Sequence, residues 1–294
     1  MAVELDFAKG HGTENDFVIV QDVKADMSGL VDGRIPPTLV RSLCDRHTGI
    51  GGDGLLRIVP ATLHPDSSVN TGRALPDGAP VVWFMDFYNA DGSTGEMCGN
   101  GLRVFARYLA AADLITGHGT FGVDSRAGVR QVTVPADAPI NAEMGKVVVG
   151  RTDVTVRLAD SDFDLEAVAV DVGTPHLVVL VDDLAALGSL LQAPTWTPAE
   201  ARPDGANIEF VRQVGPGHIE MRVFERGVGE TRSCGTGACA AAAVHGAVSE
   251  RPGVVRVDVP GGTLRVDLDA DGTAHLAGDA ELTFMGKIAI EQSD

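Results

Sequence analysis

Two short segments, one in each half of the chain, follow the same pattern. Each places a single cysteine, Cys98 or Cys234, directly before a Gly-x-Gly turn, and each turn leads into a predicted helix, 102–112 or 238–248. A further helix is predicted over 38–46, after two prolines. Upstream of both cysteines, a Gly-Thr pair at 12–13 or 173–174 leads into an apolar strand that ends in Asp. A repeated unit of this kind predicts two similar domains, each with several strands and one long helix.

The length of the chain is sufficient for two such domains, because 294 residues correspond to two domains of roughly 100–200 residues. Prolines at 135 and 139 precede the best candidate for a boundary. We predict an N-terminal domain over residues 1–142 that is closed by a C-terminal strand within 279–294, and a C-terminal domain over residues 143–278. Residues 60–80, rich in Pro, Gly, Ser and Asp, are predicted to form an exposed loop.

The charge of the chain limits its partners. It has 23 basic and 41 acidic residues, so its formal net charge of -18 argues against a nucleic acid or an anionic membrane as partner. We therefore expect a small-molecule substrate. The N-terminal residues do not resemble a signal peptide, and the most apolar run, 238–244, is far shorter than the ~18–20 residues of a membrane span. We predict a soluble, cytoplasmic protein.

The four cysteines fall into two classes. Cys44 and Cys239 lie within helical apolar patterns, which is typical of buried structural thiols. Cys98 and Cys234 instead precede glycine turns at the starts of helices, where unpaired N–H groups and the helix dipole can lower the pKa of a thiol. No Cys-x-x-Cys pair is present, so we expect no metal site. We predict that an oxidant inactivates the protein through a disulfide between Cys98 and Cys234, reversibly, although the adjacent-cysteine motif of redox sites is absent from the sequence.

Two such thiols predict acid–base chemistry on one carbon. The N–H groups of a Gly-x-Gly turn can hold a carboxylate. A thiolate could then remove the proton from the adjacent carbon while a thiol delivers a proton to the opposite face. This inverts the centre without a cofactor, which is the reaction of an amino-acid racemase or epimerase.

Several longer segments carry a family resemblance. Residues 7–17, 46–54, 89–93 with 98–101, 225–237 and 259–262 resemble diaminopimelate epimerases, in the order typical of that family. The resemblance implies an α+β fold of two pseudo-symmetric domains, each a curved, mainly antiparallel sheet wrapped around a central helix, usually in a homodimer. It implies the conversion of LL-2,6-diaminopimelate to the meso isomer for lysine and peptidoglycan synthesis, with no cofactor such as pyridoxal phosphate.

The resemblance also assigns site residues by position. Cys98 and Cys234 correspond to the two catalytic bases. The positions that correspond to substrate contacts are Asn15, Asn89, Gly99, Asn100, Asn207, Glu225, Arg226, Gly235 and Thr236. The first turns of the two helices would bind the carboxylate at the reacting carbon, and the remaining side chains would bind the other charged groups of the substrate.

Two positions depart from the family pattern. Thr174 stands where many members have Asn, before Pro175 and His176, and Gly54 stands where many have Gln. Neither is a base, so the expected chemistry is unaffected and the expected substrate contacts are changed. His176 could support the site or be a structural histidine. Two alternatives remain open: a proline or hydroxyproline racemase, and a thiol switch or binding module without turnover.

Overall fold

The computed structural model describes residues 2–27, 29–69, 81–249 and 253–291. It divides into two compact units, one of Met1–Ala142 with Asp279–Asp294 and one of Glu143–Gly278. The predicted exposed loop at 60–80 lies partly outside the described residues. Its described part forms a short 3-10 helix over Ala61–Leu63 and buries Ala61, His64 and Ser67, so the prediction that it is exposed is wrong for these residues.

The first unit is a mainly antiparallel sheet with two helices. Its strands are β1 (Ala2–Gly12), β2 (Asn15–Gln21), β3 (Gly54–Pro60), β4 (Val81–Asn89), β5 (Gly119–Asp124), β6 (Arg130–Val134), the first part of β7 (Ile140–Lys146) and β19 (Glu281–Glu291); its helices are α1 (Pro37–Cys44) and α2 (Gly99–Ala111). The strands pair in the order β19-β1-β2-β3-β4-β5-β6-β7, with β2–β3 and β4–β5 parallel and the other pairs antiparallel.

The second unit has its own sheet and one long helix. Its strands are β8 (Val148–Val149), β9 (Val154–Arg157), β10 (Leu165–Asp171), β11 (Pro175–Leu180), β12 (Thr195–Thr197), β13 (Asn207–Gly215), β14 (His218–Glu225), β15 (Gly229–Thr231), β16 (Val255–Val259), β17 (Gly262–Leu268) and β18 (Thr273–Gly278); its helix is α3 (Gly235–Ser249). β11–β13 and β14–β16 are parallel pairs.

The two units repeat one topology. β1, β2, β3, β4, α2, β5 and β6 correspond in order to β10, β11, β13, β14, α3, β16 and β17, and successive strand pairs have the same parallel or antiparallel sense. The predicted α+β class with two pseudo-symmetric halves is therefore confirmed. The repeat also places Asn15 in register with Thr174, and Gly54 with Asn207.

Each sheet packs on a buried helix. The core side of α2 includes Leu102, Phe105 and Leu109, which contact apolar side chains from β2, β3 and β4. Helix α3 is buried along most of its length and is mainly alanine from 238 to 243. Burial on nearly all sides explains why α3 lacks the polar face typical of a surface helix, whereas α2 carries Arg103 and Arg107 between its apolar residues.

The predicted helices were close to the observed ones. The stretch expected from 38 to 46 is α1, Pro37–Cys44, which starts after a proline as helices often do. The helices expected from 102 and 238 begin three residues earlier, because the cysteine before each Gly-x-Gly turn is already the residue at the helix start. Within the described ranges, no helix has the length and apolar character needed to cross a membrane.

Candidate active site

In the first unit, Cys98 is the N-cap of α2. Its backbone is extended, and its sulfur accepts the N–H of Gly101 at 3.4 Å. A serine or aspartate oxygen usually occupies this place in a cap. Because the N–H groups and the dipole of a helix start favour negative charge, this position suits a sulfur that must become a thiolate.

Asn15, at the start of β2, reaches the same sulfur. Its Oδ1 accepts the thiol of Cys98 at 3.7 Å and the Nδ2 of Asn100 at 3.3 Å. On its other side, Nδ2 of Asn15 donates to the Oδ2 of Asp53 at 2.9 Å. Three predicted site residues therefore meet at one corner of the first unit, together with an aspartate that was not assigned a role.

The side chain of Arg103, which is fully buried, bonds the first turn of α2. Its guanidinium donates to the carbonyl of Gly99 at 3.2 Å and to the Oδ1 of Asn100 at 2.9 Å. Gly99 and Asn100, both predicted to contact substrate, thus belong to a rigid turn, and the Asn100 side chain is already engaged.

Asn89, at the end of β4, lies at the same edge of the sheet as Asn15. The ladders pair Asn89 with Gly54 of β3, and Gly54 with Phe17 of β2. The Nδ2 of Asn89 donates to the hydroxyl of Ser93 at 2.9 Å. The strand pairing therefore places Asn89 near Asn15, and the hydrogen bond to Ser93 in the turn after β4 orients the Asn89 side chain.

The second unit presents Cys234 in the equivalent way. Its sulfur, which is buried, accepts the N–H of Gly237 at 3.3 Å and lies 3.5 Å from the hydroxyl of Thr236. The Nδ2 of Asn207, at the start of β13, points to the same sulfur at 3.8 Å. Gly235 is the buried first residue of α3.

Glu225 ends β14 at this edge, and Arg226 follows it. The Arg226 N–H donates to the Oδ1 of Asn207 at 3.0 Å, and the Arg226 side chain donates to the carbonyl of Asp204 at 2.6 Å. Glu225 accepts a hydrogen bond from the Thr231 hydroxyl. The structure thus brings Asn207 and Arg226 to Cys234, while the guanidinium of Arg226 is held by a backbone carbonyl.

A buried chain of polar side chains lies beneath Cys234. Nδ1 of His176 is 2.7 Å from the Oε1 of Glu209, and Nε2 of His176 is 2.8 Å from the hydroxyl of Thr174. His176 and Glu209 are both 0% exposed. Oε1 of Glu209 also lies 2.5 Å from the point where a Cβ on Gly237 would be. Sequence reasoning missed Glu209; the available signal was a carboxylate among inward-facing apolar residues of a strand.

The surroundings of Cys234 correct the expectation for its pKa. Burial, followed by the charges of Glu225 and Glu209, raises the pKa of Cys234 well above its usual value. The hydrogen bonds from Thr236 and Gly237 lower the pKa, but they are the weaker influence. The prediction that a helix start lowers the pKa of this thiol is therefore wrong here, because desolvation disfavours the thiolate more than the helix start stabilises it.

The other two cysteines are buried as predicted. Cys44 ends α1 and Cys239 lies inside α3. Burial raises the pKa of Cys44 to about 11, so this thiol stays protonated at neutral pH. Among the residues that the structure describes, no group of three or more His, Cys, Asp or Glu side chains is arranged to hold a metal ion.

The two departures from the family pattern occupy constrained places. A Cβ on Gly54 would lie 2.6 Å from the carbonyl oxygen of Tyr88 and 2.9 Å from a ring carbon of Phe87, so no side chain fits there without a shift. The Thr174 hydroxyl is engaged by His176. These positions correspond by topology to Asn207 and Asn15, so each unit has one asparagine at its cysteine.

Comparison with known proteins identifies the family. The diaminopimelate epimerase family model matches residues 7–150 and 168–283. A diaminopimelate epimerase of Streptomyces coelicolor is 44% identical over 294 residues, which cover 98% of this chain and 96% of that protein. One from Corynebacterium aurimucosum is 42% identical over 298 residues, with 97% and 99% covered.

Solved structures with low sequence identity share the fold. A phenazine biosynthesis protein of the PhzF family from Bacillus anthracis aligns with a TM-score of 0.69 at 15% identity, over 98% of this chain and 100% of that one. A hydroxyproline epimerase from Agrobacterium vitis aligns with a TM-score of 0.68 at 15% identity, over 98% and 93%. The full-length matches to sequence relatives go further than this shared fold: the chain is an isomerase and belongs to the diaminopimelate epimerase family.

Proposed function

We propose that the protein converts LL-2,6-diaminopimelate to the meso isomer without a cofactor, with Cys98 and Cys234 as the two acid–base groups. The observation that carries this proposal is the repeated cap: each unit places one cysteine at the start of a buried helix, with its sulfur on the N–H of the third residue after it, at 3.4 Å and 3.3 Å. The relatives that match over the full chain are named diaminopimelate epimerases.

The surroundings of the two sulfurs support different starting states. Burial and two glutamates raise the pKa of Cys234, which favours the thiol and so the role of proton donor. Cys98 is only half-buried and caps α2 through its sulfur, which suits the base that removes the α-proton. In the reverse direction the roles exchange, because the base of one direction is the acid of the other.

The glycine turns supply the group that binds the reacting carboxylate. N–H groups of Gly99, Asn100, Gly235 and Thr236 lie in the first turns of α2 and α3, the part of a helix that presents backbone donors to an anion. Such donors stabilise the extra charge that develops on the carboxylate when the α-proton leaves, an effect worth ~10²–10³ in rate for one donor.

The remaining predicted contacts suit a substrate with an ammonium and a carboxylate at each end. Asn15, Asn89, Asn207 and Glu225 offer amide and carboxylate groups, and Arg226 can bind a carboxylate through two N–H groups. We propose that Arg226 exchanges its bond to the Asp204 carbonyl for the distal carboxylate of the substrate.

We propose that the product serves lysine and peptidoglycan synthesis, and that the enzyme acts as a homodimer in the cytoplasm. A reducing compartment is the one in which two reactive thiols persist. The acidic surface, with a net charge of -18, is in keeping with a small substrate as the partner.

Solvent deuterium incorporation tests the reaction. Wild-type protein under reducing conditions should exchange the α-hydrogen of LL-diaminopimelate for deuterium, followed by mass spectrometry, and should interconvert the LL and meso isomers. Cys98→Ala and Cys234→Ala should each lose epimerisation by a factor of ~10³ or more, because each proton transfer needs its own group.

Cys239→Ala is the matched control, since this buried cysteine lies in the alanine-rich part of α3, five residues from Cys234. It should retain activity. No deuterium incorporation by wild-type protein would contradict the assignment, and incorporation into proline instead would favour the racemase alternative. Near wild-type epimerisation by either single variant would exclude a two-cysteine mechanism.

A further inference from the structure

The carboxamide of Asn15 lies between two groups of different kinds. Its Nδ2 donates to Oδ2 of Asp53 at 2.9 Å. Its Oδ1 accepts Nδ2 of Asn100 at 3.3 Å and the thiol of Cys98 at 3.7 Å. The side chain therefore connects a carboxylate to the sulfur that we propose as the base.

The reversed orientation of this amide is unfavourable for a simple reason. A carboxylate only accepts hydrogen bonds, and so an Asn15 oxygen turned toward Asp53 would face another oxygen without a proton between them. The same turn would place two NH₂ groups, those of Asn15 and Asn100, against each other. Asp53 thus dictates that an acceptor faces Cys98.

Asp53 is itself held in place on both oxygens. Its Oδ1 binds Nη2 of Arg46 at 2.8 Å, and its Oδ2 accepts the N–H of Asp16 at 3.1 Å. The Asp53 N–H donates to the carbonyl of Asp16 at 2.8 Å. Arg46 also binds both oxygens of Asp16, at 2.6 Å and 3.0 Å.

Asp16 is anchored in turn by Lys9 of β1, whose Nζ lies 2.6 Å from it and also donates to the carbonyl of Gly51. Burial alone would raise the pKa of Asp16, but the bonds from Arg46 and Lys9 hold it below its usual range. The cluster is therefore an ionic support at the starts of β2 and β3, in which Asp53 is bonded to both Arg46 and Asp16.

We propose that Asp53 is a positioning residue that orients Asn15 so that a hydrogen-bond acceptor faces the sulfur of Cys98. This inference deepens the proposed function and rests on it only in that Cys98 handles the proton. Without substrate, an acceptor stabilises the Cys98 thiol over the thiolate, since the thiol alone has a proton to donate. A substrate group that occupied this acceptor would leave the helix start to favour the thiolate that the proposed base requires. The same oxygen is positioned to accept from an ammonium group, which would compete with the Cys98 thiol when a substrate binds.

In the second unit, the asparagine amide beside the cysteine has the opposite orientation. There the N–H of Arg226 donates to the Oδ1 of Asn207, so the Nδ2 of Asn207 faces the sulfur of Cys234. A backbone N–H only donates, and this orientation is therefore as firmly determined as that of Asn15. Two asparagines thus present an acceptor to one cysteine and a donor to the other, each because of the group on its far side.

The substitution Asp53→Asn tests the inference. An asparagine at 53 has one oxygen for the three donors that Asp53 accepts, from Arg46, the Asp16 N–H and Asn15. The Asn15 amide then loses the carboxylate that fixes its orientation and can turn its own NH₂ toward Cys98. We expect the pKa of the Cys98 thiol to fall and its alkylation at pH 7 to become about tenfold faster, as for a shift of about one pKa unit. The measurement is the pH dependence of iodoacetamide alkylation, resolved by mass spectrometry of the Cys98 peptide.

Loss of the Asp53 charge could lower this pKa without any reorientation, and a double-mutant cycle separates the two effects. In an Asn15→Ala background, Asp53→Asn should change the rate of Cys98 alkylation at pH 7 by less than about twofold. The other charged side chains around this corner, Lys9, Asp16 and Arg46 together with Arg103 of α2, are the same in all four proteins.

Asp45→Asn is the matched control, because Asp45 lies in the same connection and its carboxylate accepts the N–H groups of His47 and Thr48 and the Thr48 hydroxyl. It should leave the profile unchanged. Asp53→Ser carries the same expectation as Asp53→Asn if the latter does not fold. An unshifted profile, or an equal shift without Asn15, would overturn the inference. Alkylation needs no turnover, so this outcome is independent of the deuterium assay.

Discussion

Cys98 and Cys234 occupy equivalent positions, yet their sulfurs have different surroundings. Both accept an N–H from the third residue of the following helix. Cys98 is half-buried beside a neutral amide oxygen, whereas Cys234 is buried near two glutamates that raise its pKa. The shared sequence pattern sets the cap, and residues far along the chain set the proton affinity of each sulfur.

Glu209 provides a prediction about Cys234. Because the charge of Glu209 contributes to the raised pKa of this thiol, Glu209→Gln should lower that pKa and speed the alkylation of Cys234 at neutral pH several-fold. Peptide-resolved alkylation across pH measures the shift. Glu220→Gln, in a half-buried pair with Arg212, is the control and should leave the pH dependence of Cys234 alkylation as it is. An unchanged Glu209→Gln profile would contradict the assigned electrostatic role.

Gly54 provides a second prediction at this scale. The family's glutamine should not be accepted here: Gly54→Gln should destabilise the protein by about 1–3 kcal/mol, because the new Cβ would lie 2.6 Å from the carbonyl oxygen of Tyr88. Urea unfolding measures the loss. Gly215→Ala, a strand glycine with open space around it, should change stability by less than the Gln variant. Equal stability of Gly54→Gln and wild type would contradict this prediction and would mean that β3 and β4 move apart at no measurable cost.

At the scale of elements, α2 and α3 start alike but pack differently. Helix α2 packs on its sheet through Leu, Val and Phe side chains. Helix α3 packs mainly through alanines, whose small side chains allow a short distance between helix and sheet. The glycines at 101 and 237 occupy the same place in the two helices. A Cβ on Gly101 would make ordinary contacts of 3.4 Å, while one on Gly237 would meet Glu209 at 2.5 Å.

This difference predicts opposite effects of one substitution. Gly101→Ala should be neutral or stabilising by up to ~1 kcal/mol, since alanine is the better helix former. Gly237→Ala should be destabilising by about 1–3 kcal/mol, because Glu209 is buried and bound to His176 and must shift. Thermal and urea unfolding of the two variants, measured side by side, give the comparison. Equal effects would mean that Glu209 moves without cost.

At the scale of the whole molecule, the two units bury ionisable groups in different ways. In the first unit, fully buried Arg57 binds Asp22 at 2.6 Å and Asp86 at 3.1 Å. Burial alone would raise the pKa of Asp86, but His64 and Arg126 hold it below its usual value. In the second unit, His245 is buried in α3, and neither ring nitrogen has a hydrogen-bond partner among the described residues.

Acid should therefore weaken the two units over different pH ranges. Burial lowers the pKa of His245, so below pH 6.5 the unfolded chain takes up a proton that the folded unit does not, and the stability of the second unit falls by at most about 1.4 kcal/mol per pH unit. Asp86, with its lowered pKa, favours folding above its unfolded value of 3.8, and that stability is lost only as pH falls below it.

Hydrogen exchange resolved by unit, at pH 7.5 and 5.5 with intrinsic rates corrected, measures this difference. The second unit should lose protection at pH 5.5 and the first should not. His245→Leu should remove much of the loss, because leucine takes no proton. A pH dependence that is the same in His245→Leu and wild type would contradict the role given to His245.

The sequence by itself determined the features that depend on neighbouring residues. A cysteine before a Gly-x-Gly turn starts a helix because the turn exposes backbone N–H groups locally, and so α2 and α3, the repeated topology and the family could all be predicted from short segments. The apolar alternation of the strands likewise needed no distant partner.

Only the tertiary structure decided how each sulfur is surrounded. Asp53 orients Asn15 across 38 positions of sequence, and His176 meets Glu209 across 33. The raised pKa of Cys234 depends on burial by elements that the chain contributes far from residue 234. Desolvation and charge act through space, so their balance at a sulfur is defined only once the strands have paired and packed on the helix.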